Sequence, residues 1–132
     1  MLFPVRNKNA YLVNRIRPAD IQGKRPFRPM DVEQILENVV YHHLSLCGYT
    51  LSVGRNGDRE IDFLAERNRE KVYVQVAYSV IEPKTYEREF GNLRMIKDNY
   101  PKYVVTMDEI EGISDGGIKQ LPIRTFLMQE SF

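Results

Sequence analysis

Three apolar segments joined by two short polar turns constrain this chain more than any other feature. They are "YTLSVG" from residue 49, "REIDFLAE" from residue 59 and "KVYVQVAYS" at 71–79. Each alternates at the two-residue period of a strand with one buried face. The "NG" at 56–57 is a strong hairpin signal, and "RNREK" is a second turn. Connections this short permit only antiparallel neighbours, so the segments form a meander. In the second strand Ile61, Phe63 and Ala65 are expected on one face, against Glu60, Asp62 and Leu64. In the third, Val72, Val74, Val76 and Tyr78 oppose Tyr73, Gln75, Ala77 and Ser79. A Gln at the centre of so apolar a strand, followed on its own face by an Ala, is the anomaly.

Helices flank the meander. Val32, Ile35, Leu36, Val39, His43, Leu46 and Cys47 recur at helical spacing, with Asp31 as the expected cap, Gln34 at the capping-box position and Gly48 as the stop. After Pro83, Thr85 is expected to cap a second helix whose buried stripe is Tyr86, Phe90, Leu93 and Ile96, ending at "NYP". "KYVVTM" and "IKQLPI" read as strands around a flexible "EIEGISDGG" loop, and "RTFLMQ" as a last helical turn. A meander followed by a helical crossover implies an α/β fold with a mixed sheet and helices on both faces.

The chain of 132 residues suits one folded domain, residues 31–132, preceded by an arm, residues 1–30. The arm holds four of the seven prolines, which oppose regular structure. It carries seven Lys or Arg and one acid, whereas residues 31–132 carry twelve and seventeen. Arg15, Arg17, Lys24, Arg25 and Arg28 are therefore candidates for contact with nucleic-acid phosphates, although basic runs also serve as plain solvated surface. One cysteine, Cys47, excludes an internal disulfide framework. No apolar run reaches the length of a membrane span, and the N-terminus has no signal-peptide core, so a cytoplasmic protein is expected.

There is no phosphate-binding loop, zinc spacing or nucleophile elbow. His42 and His43 point about 100° apart on a helix and make a poor metal pair. The informative set is Glu37, at the edge of the first helix's stripe, with Asp62 and Gln75 on adjacent strands. Glu60 shares the alternation of Asp62, roughly 7 Å along the strand. Carboxylates at the end of a sheet suit a hard cation such as Mg²⁺, which takes oxygen ligands and activates water. Read singly, Asp62 is equally a hairpin Asp bonded to backbone or to Arg59, and Glu37 a surface acid.

The order helix, meander, helix, strand, with an acid in the first helix and an Asp in the second strand, resembles the PD-(D/E)XK restriction-endonuclease-like superfamily and its αβββαβ core. The stretch "ILENVVYHHLSLCGYTLSVGRNGDREIDFLAERNREKVYVQVAYSV", then "EREFGNLRMIKDNYPKYVVTMDE", is similar to one branch. That branch is the C-terminal domain of unknown function appended to bacterial and archaeal AAA-type ATPases. The similarity runs from about Ile35 to Asp108 and continues weakly through "GIKQLPIRTFL". It implies that Glu37 stands at the first-helix acid and Asp62 at the metal-binding Asp. Gln75 stands at the acid of E-x-K, and Ala77 at its Lys. Both of the last two depart from the motif. Lys71 is too far along the strand to replace the lysine, which leaves Lys84 in the following loop as the freer substitute.

The resemblance therefore implies a nuclease-like domain with a degenerate catalytic motif. Its catalytic positions are Asp62, Gln75 and Glu37, and its metal positions Asp62, Glu37 and Glu60, with Mg²⁺ the cation. The expected role is an accessory module of an ATPase-type system, binding DNA or a partner such as an AAA-type ATPase domain in cis or in trans. The alternatives are an active Mg²⁺-dependent nuclease, and an oligomerisation or docking module that pairs through an edge such as "IKQLPI".

Overall fold

The computed structural model describes residues 3–4, 28–110 and 112–132. Its elements, in chain order, are β1 (Phe3–Pro4), α1 (Pro29–Leu46), β2 (Thr50–Asn56), β3 (Arg59–Arg67), β4 (Glu70–Val76), α2 (Pro83–Arg94), β5 (Lys102–Thr106), β6 (Ser114–Asp115), β7 (Ile118–Pro122) and α3 (Ile123–Leu127). The strands form one mixed sheet in the order β1-β2-β3-β4-β5-β7-β6. β2, β3 and β4 are the antiparallel meander, and β4, β5 and β7 run parallel. No helix among the described residues is long and apolar enough to cross a membrane.

The two faces of β4 are sorted as its alternation requires. Val72, Val74 and Val76 pack with Leu36, Val40 and Leu44 of α1 and with Phe126 of α3. Tyr73 and Ala77 pack on the opposite side with Phe90 and Leu93 of α2. Helices thus cover both faces, and the α/β class with a mixed sheet holds.

Several local readings shift. The cap of α1 is Arg28, with a proline opening the helix, and Asp31 stands in the first turn and accepts the Arg28 N–H at 2.9 Å. Pro83 begins α2 rather than preceding it, with Glu82 as its cap. Proline is suited to a first turn, where its missing N–H has no partner to lose. That helix ends at Arg94, before the expected "NYP". The first hairpin closes through Gly57 and Asp58, because Asn56 pairs with Arg59. Gly57 takes φ +63° there, and glycine is suited to that first loop position. The second hairpin places Asn68 and Arg69 at φ +51° and +68°, which is strained for arginine. β4 ends at Val76, three residues short of the expected strand, and Ser114–Asp115 inside the expected loop forms β6.

The largest departure is in β3. Ser52 pairs with Leu64, but Gly54 pairs with Ile61. Between these pairs β2 contributes Val53 alone, while β3 contributes Asp62 and Phe63. This is a β-bulge, and it reverses the facing of every residue before it. Ile61 consequently joins Leu64 in the α2-side core, while Phe63 and Ala65 face α1. The expected common face of Ile61, Phe63 and Ala65 does not form.

The C-terminal residues are held against the meander by one guanidinium. Arg67 donates to the carbonyls of Cys47 (2.7 Å) and Glu130 (3.0 Å) and to the Ser131 hydroxyl (2.7 Å). It also lies over the Tyr49 ring, 4.3 Å from its centre. His43 Nε2–H donates to Gln129 O at 2.7 Å, so this imidazole is a satisfied structural group. Phe132 stacks on Phe126 at 4.8 Å. Arg67→Ala is expected to lower stability by about 1–2 kcal/mol, since it strands the part-buried Cys47 carbonyl and gives up the bonds to Glu130 and Ser131. Hydrogen exchange checks the mechanism: protection should fall first at residues 128–132, whereas a uniform fall across the sheet would contradict it.

Candidate functional site

The ladder between β3 and β4 has its last paired residues at Phe63 and Val74. The next pair would be Asp62 opposite Gln75, and there side chains take over from backbone. Gln75 Oε1 accepts the Asp62 N–H at 2.6 Å. The Asp62 carboxylate accepts the Val76 N–H at 2.9 Å. Two side chains have replaced main-chain rungs, so the strands part at this point. The bulge on the β2 side of Asp62 lets β3 turn away, while Gln75 and Val76 continue beside Val104 and Val105 of β5. Of the readings open for Asp62, its bonding to nearby backbone is the one seen. Arg59 instead donates to Asn92 of α2 at 3.0 Å.

The amide end of Gln75 reaches α2. Its Nε2 donates to Glu89 Oε2 at 3.1 Å, with a longer 3.5 Å contact to the Glu60 carbonyl. Gln75 and Glu89 are both buried. Arg88 Nε, on a mostly exposed side chain, donates to the other Glu89 oxygen at 2.8 Å. Burial pushes the Glu89 carboxyl up to about 7, the nearby charge of Asp62 adds to this, and Arg88 opposes it. From α1, Glu33 accepts the Tyr78 N–H at 3.2 Å just past the end of β4, and its charge is felt at Glu89.

The residues singled out by sequence distribute as follows. Asp62 and Gln75 meet directly. Glu37 is buried on α1, one turn beyond Glu33 and therefore on the same side of the helix. The Glu60 carboxylate lies 4.0 Å from Arg55, and its backbone carbonyl lies 3.5 Å from the Gln75 amide. Ala77 is fully buried in the α2-side core. Lys84 is exposed in the first turn of α2, and Lys71 Nζ lies 6.0 Å from the Tyr100 ring centre. Arg15, Arg17, Lys24 and Arg25 lie outside the described residues. Arg28 is exposed and bonded to Asp31.

Glu89 and Glu33 were not among the expected site residues, yet both carried a signal. Glu89 stands three residues after Tyr86 and four before Leu93, so it falls within the apolar stripe of α2. Glu33 precedes Leu36 by three residues and Val40 by seven. An acid on a buried stripe is either paired or functional.

Among the described residues, no three His, Cys, Asp or Glu side chains are grouped so as to hold a metal ion. At the strand split Gln75 Oε1 and the Asp62 carboxylate accept backbone N–H groups, and Glu89 accepts from the Gln75 amide and from Arg88. Chemically, the arrangement is a buried acid–amide junction that ties β3, β4 and α2 together.

Comparison with known proteins finds no matching family model and no matching solved structure. An uncharacterized protein of Haemophilus influenzae is 39% identical over 94 residues. The match covers 71% of this chain but 23% of that protein, so the chain spans under a quarter of the length of the curated relative it matches.

Proposed function

We propose that this chain is a restriction-endonuclease-like domain that does not cut, serving as an accessory nucleic-acid- or partner-binding module of an ATPase-type system. The support for the fold family is the order α1, meander, α2, β5, with the strands parting at Asp62 and Gln75. The observation that carries the loss of cutting is the state of Gln75. Its oxygen is committed to the Asp62 N–H and its nitrogen to Glu89, at 2.6 and 3.1 Å. A neutral amide locked at both ends brings no charge to a cation. Ala77, where a nuclease of this type would carry its lysine, has no group to orient water or to stabilise a developing negative charge. Mg²⁺ favours several free oxygen ligands in near-octahedral array, whereas the Gln75 oxygen and the Asp62 carboxylate each accept a backbone N–H.

The test is direct. Plasmid and single-stranded DNA are incubated with micromolar protein in Mg²⁺ or Mn²⁺. No cleavage above the blank is expected, and calorimetric titration with Mg²⁺ should give no saturable heat. Metal-dependent cleavage that disappears in Asp62→Ala would instead establish the active-nuclease reading.

A further inference from the structure

β7 carries a polar anomaly of its own. Ile118, Gln120 and Pro122 are its buried residues, and a glutamine in such a row needs partners for both ends of its amide. One end finds them. Gln120 Nε2 donates to Thr106 Oγ1 at 2.8 Å, with a longer 3.4 Å contact to the Asp108 carbonyl. The other end does not. Gln120 is only 2% exposed, and its Oε1 is the one buried side-chain polar atom among the described residues that has no hydrogen-bond partner. Turning the amide over would set two oxygens against each other at Asp108 and leave the nitrogen bare instead. A stranded acceptor of this kind is costly unless something donates to it.

Gln120 also lines a cleft. β6 pairs with β7 at Ile118 and Lys119. Past those pairs the outer edge of β7 is held by the Gln120 N–H, which donates to the Ile113 carbonyl at 3.0 Å, and Pro122 has no N–H to offer. Between this edge, residues 112–114 and Thr125 of α3 lies a cleft of about 370 Å³. Its walls include the apolar side chains of Ile113, Leu121 and Pro122. A volume of this size, apolar walls and one polar group that still needs a partner are the ordinary features of a small-molecule site. We propose that the cleft binds a small, largely apolar molecule with one N–H or O–H group, such as an indole or a phenol, and that this group donates to Gln120 Oε1. The oxygen is closed to solvent, so the donor arrives with a shift of the 112–114 segment, whose Gly112 and Ser114 are exposed. The site lies across β5 from the strand split and does not depend on whether the split has lost cutting.

The experiment uses a matched pair of probes, indole and indene, which share a shape and differ in the N–H. Each is titrated into the full chain and followed by two-dimensional amide NMR. Indole should shift the amides of residues 112–114 and 119–121 saturably and bind about tenfold tighter than indene, the worth of one hydrogen bond to a buried acceptor. In Gln120→Leu that preference should vanish, while indene binds at least as well as it does to the wild type. Ser114 is exposed on the rim of the cleft, so Ser114→Trp should keep the fold and weaken both probes. Should Gln120→Leu not fold, the probe ratio on the wild type and the Ser114→Trp result decide the matter between them. Equal affinity of the wild type for indole and indene overturns the proposal, because the oxygen would then be unused. So do shifts confined to other residues, and so does the lack of any saturable shift at millimolar probe.

Discussion

Glu89→Gln is expected to raise the melting temperature at pH 8 by about 5–10 °C and to leave it little changed at pH 5. The reason is the position of this carboxyl in the fold. Its ordinary value is 4.5, and in the folded chain it is pushed up to about 7 by burial and by Asp62, against the opposing charge of Arg88. Between these values the folded chain holds a proton that the unfolded chain has released. The stabilisation is fully present below about pH 4.5 and is lost as pH rises through about 7. At pH 8 the carboxylate is ionised inside the fold, at a cost on the order of 3 kcal/mol by the size of the shift. In a domain of this length each kcal/mol moves the midpoint by a few degrees. A glutamine keeps an oxygen facing Gln75 Nε2 and removes the buried charge. Its loss to Arg88 is small, since that ion pair is largely solvated on the arginine side. Melting curves from pH 4.5 to 8.5 check this. Wild-type stability should decline across the range relative to the variant, and parallel curves would mean that Glu89 titrates like an exposed acid.

Much of this fold is legible in local pattern because local rules decide it. The meander follows from two short turns, and the facing of β4 from a two-residue period that nothing interrupts. Gly48 ends α1 at φ +90°, a conformation glycine takes without strain. The buried stripe of that helix is only partly legible: Leu36 is buried as expected, but Val40 and Leu44 fill the core while Ile35 and Leu46 are exposed. What escapes the sequence is decided at a distance. The bulge at Asp62–Phe63 depends on the register that β2 adopts against β3, and no residue within β3 announces it. Pro83 reads equally as a breaker or as a first helical residue, and the chain entering from Val80 settles which. Glu89 stands within the apolar stripe of α2, but its partner is fixed only when α2 is laid on the Gln75 face of the sheet. The candidate site is therefore half legible. Asp62 and Gln75 are brought together by hairpin pairing alone, whereas their partner from α2 needs the tertiary fold.

Gln75→Glu is expected to destabilise the chain by about 3–5 kcal/mol at pH 8, the range for an uncompensated buried charge. The oxygen that accepts the Asp62 N–H survives this change. The donor that faces Glu89 does not, and the introduced carboxylate would sit 3.1 Å from another, with Asp62 beside both. Two carboxyls at that distance cannot both ionise cheaply, so near pH 5 they share a proton and most of the loss should vanish. The same variant sets at this strand position the acid that the proposed nuclease-like pattern would carry. If the strand split is an inherited cation site silenced by the amide, 10 mM Mg²⁺ should raise the melting temperature of Gln75→Glu at pH 8 and leave the wild type unmoved. A ligand stabilises only the state that binds it. A loss equal at pH 5 and pH 8 would mean that the missing donor, rather than charge, is responsible. A variant indifferent to Mg²⁺ would mean that the junction of β3, β4 and α2 is structural in origin, with Gln75 serving as its tie.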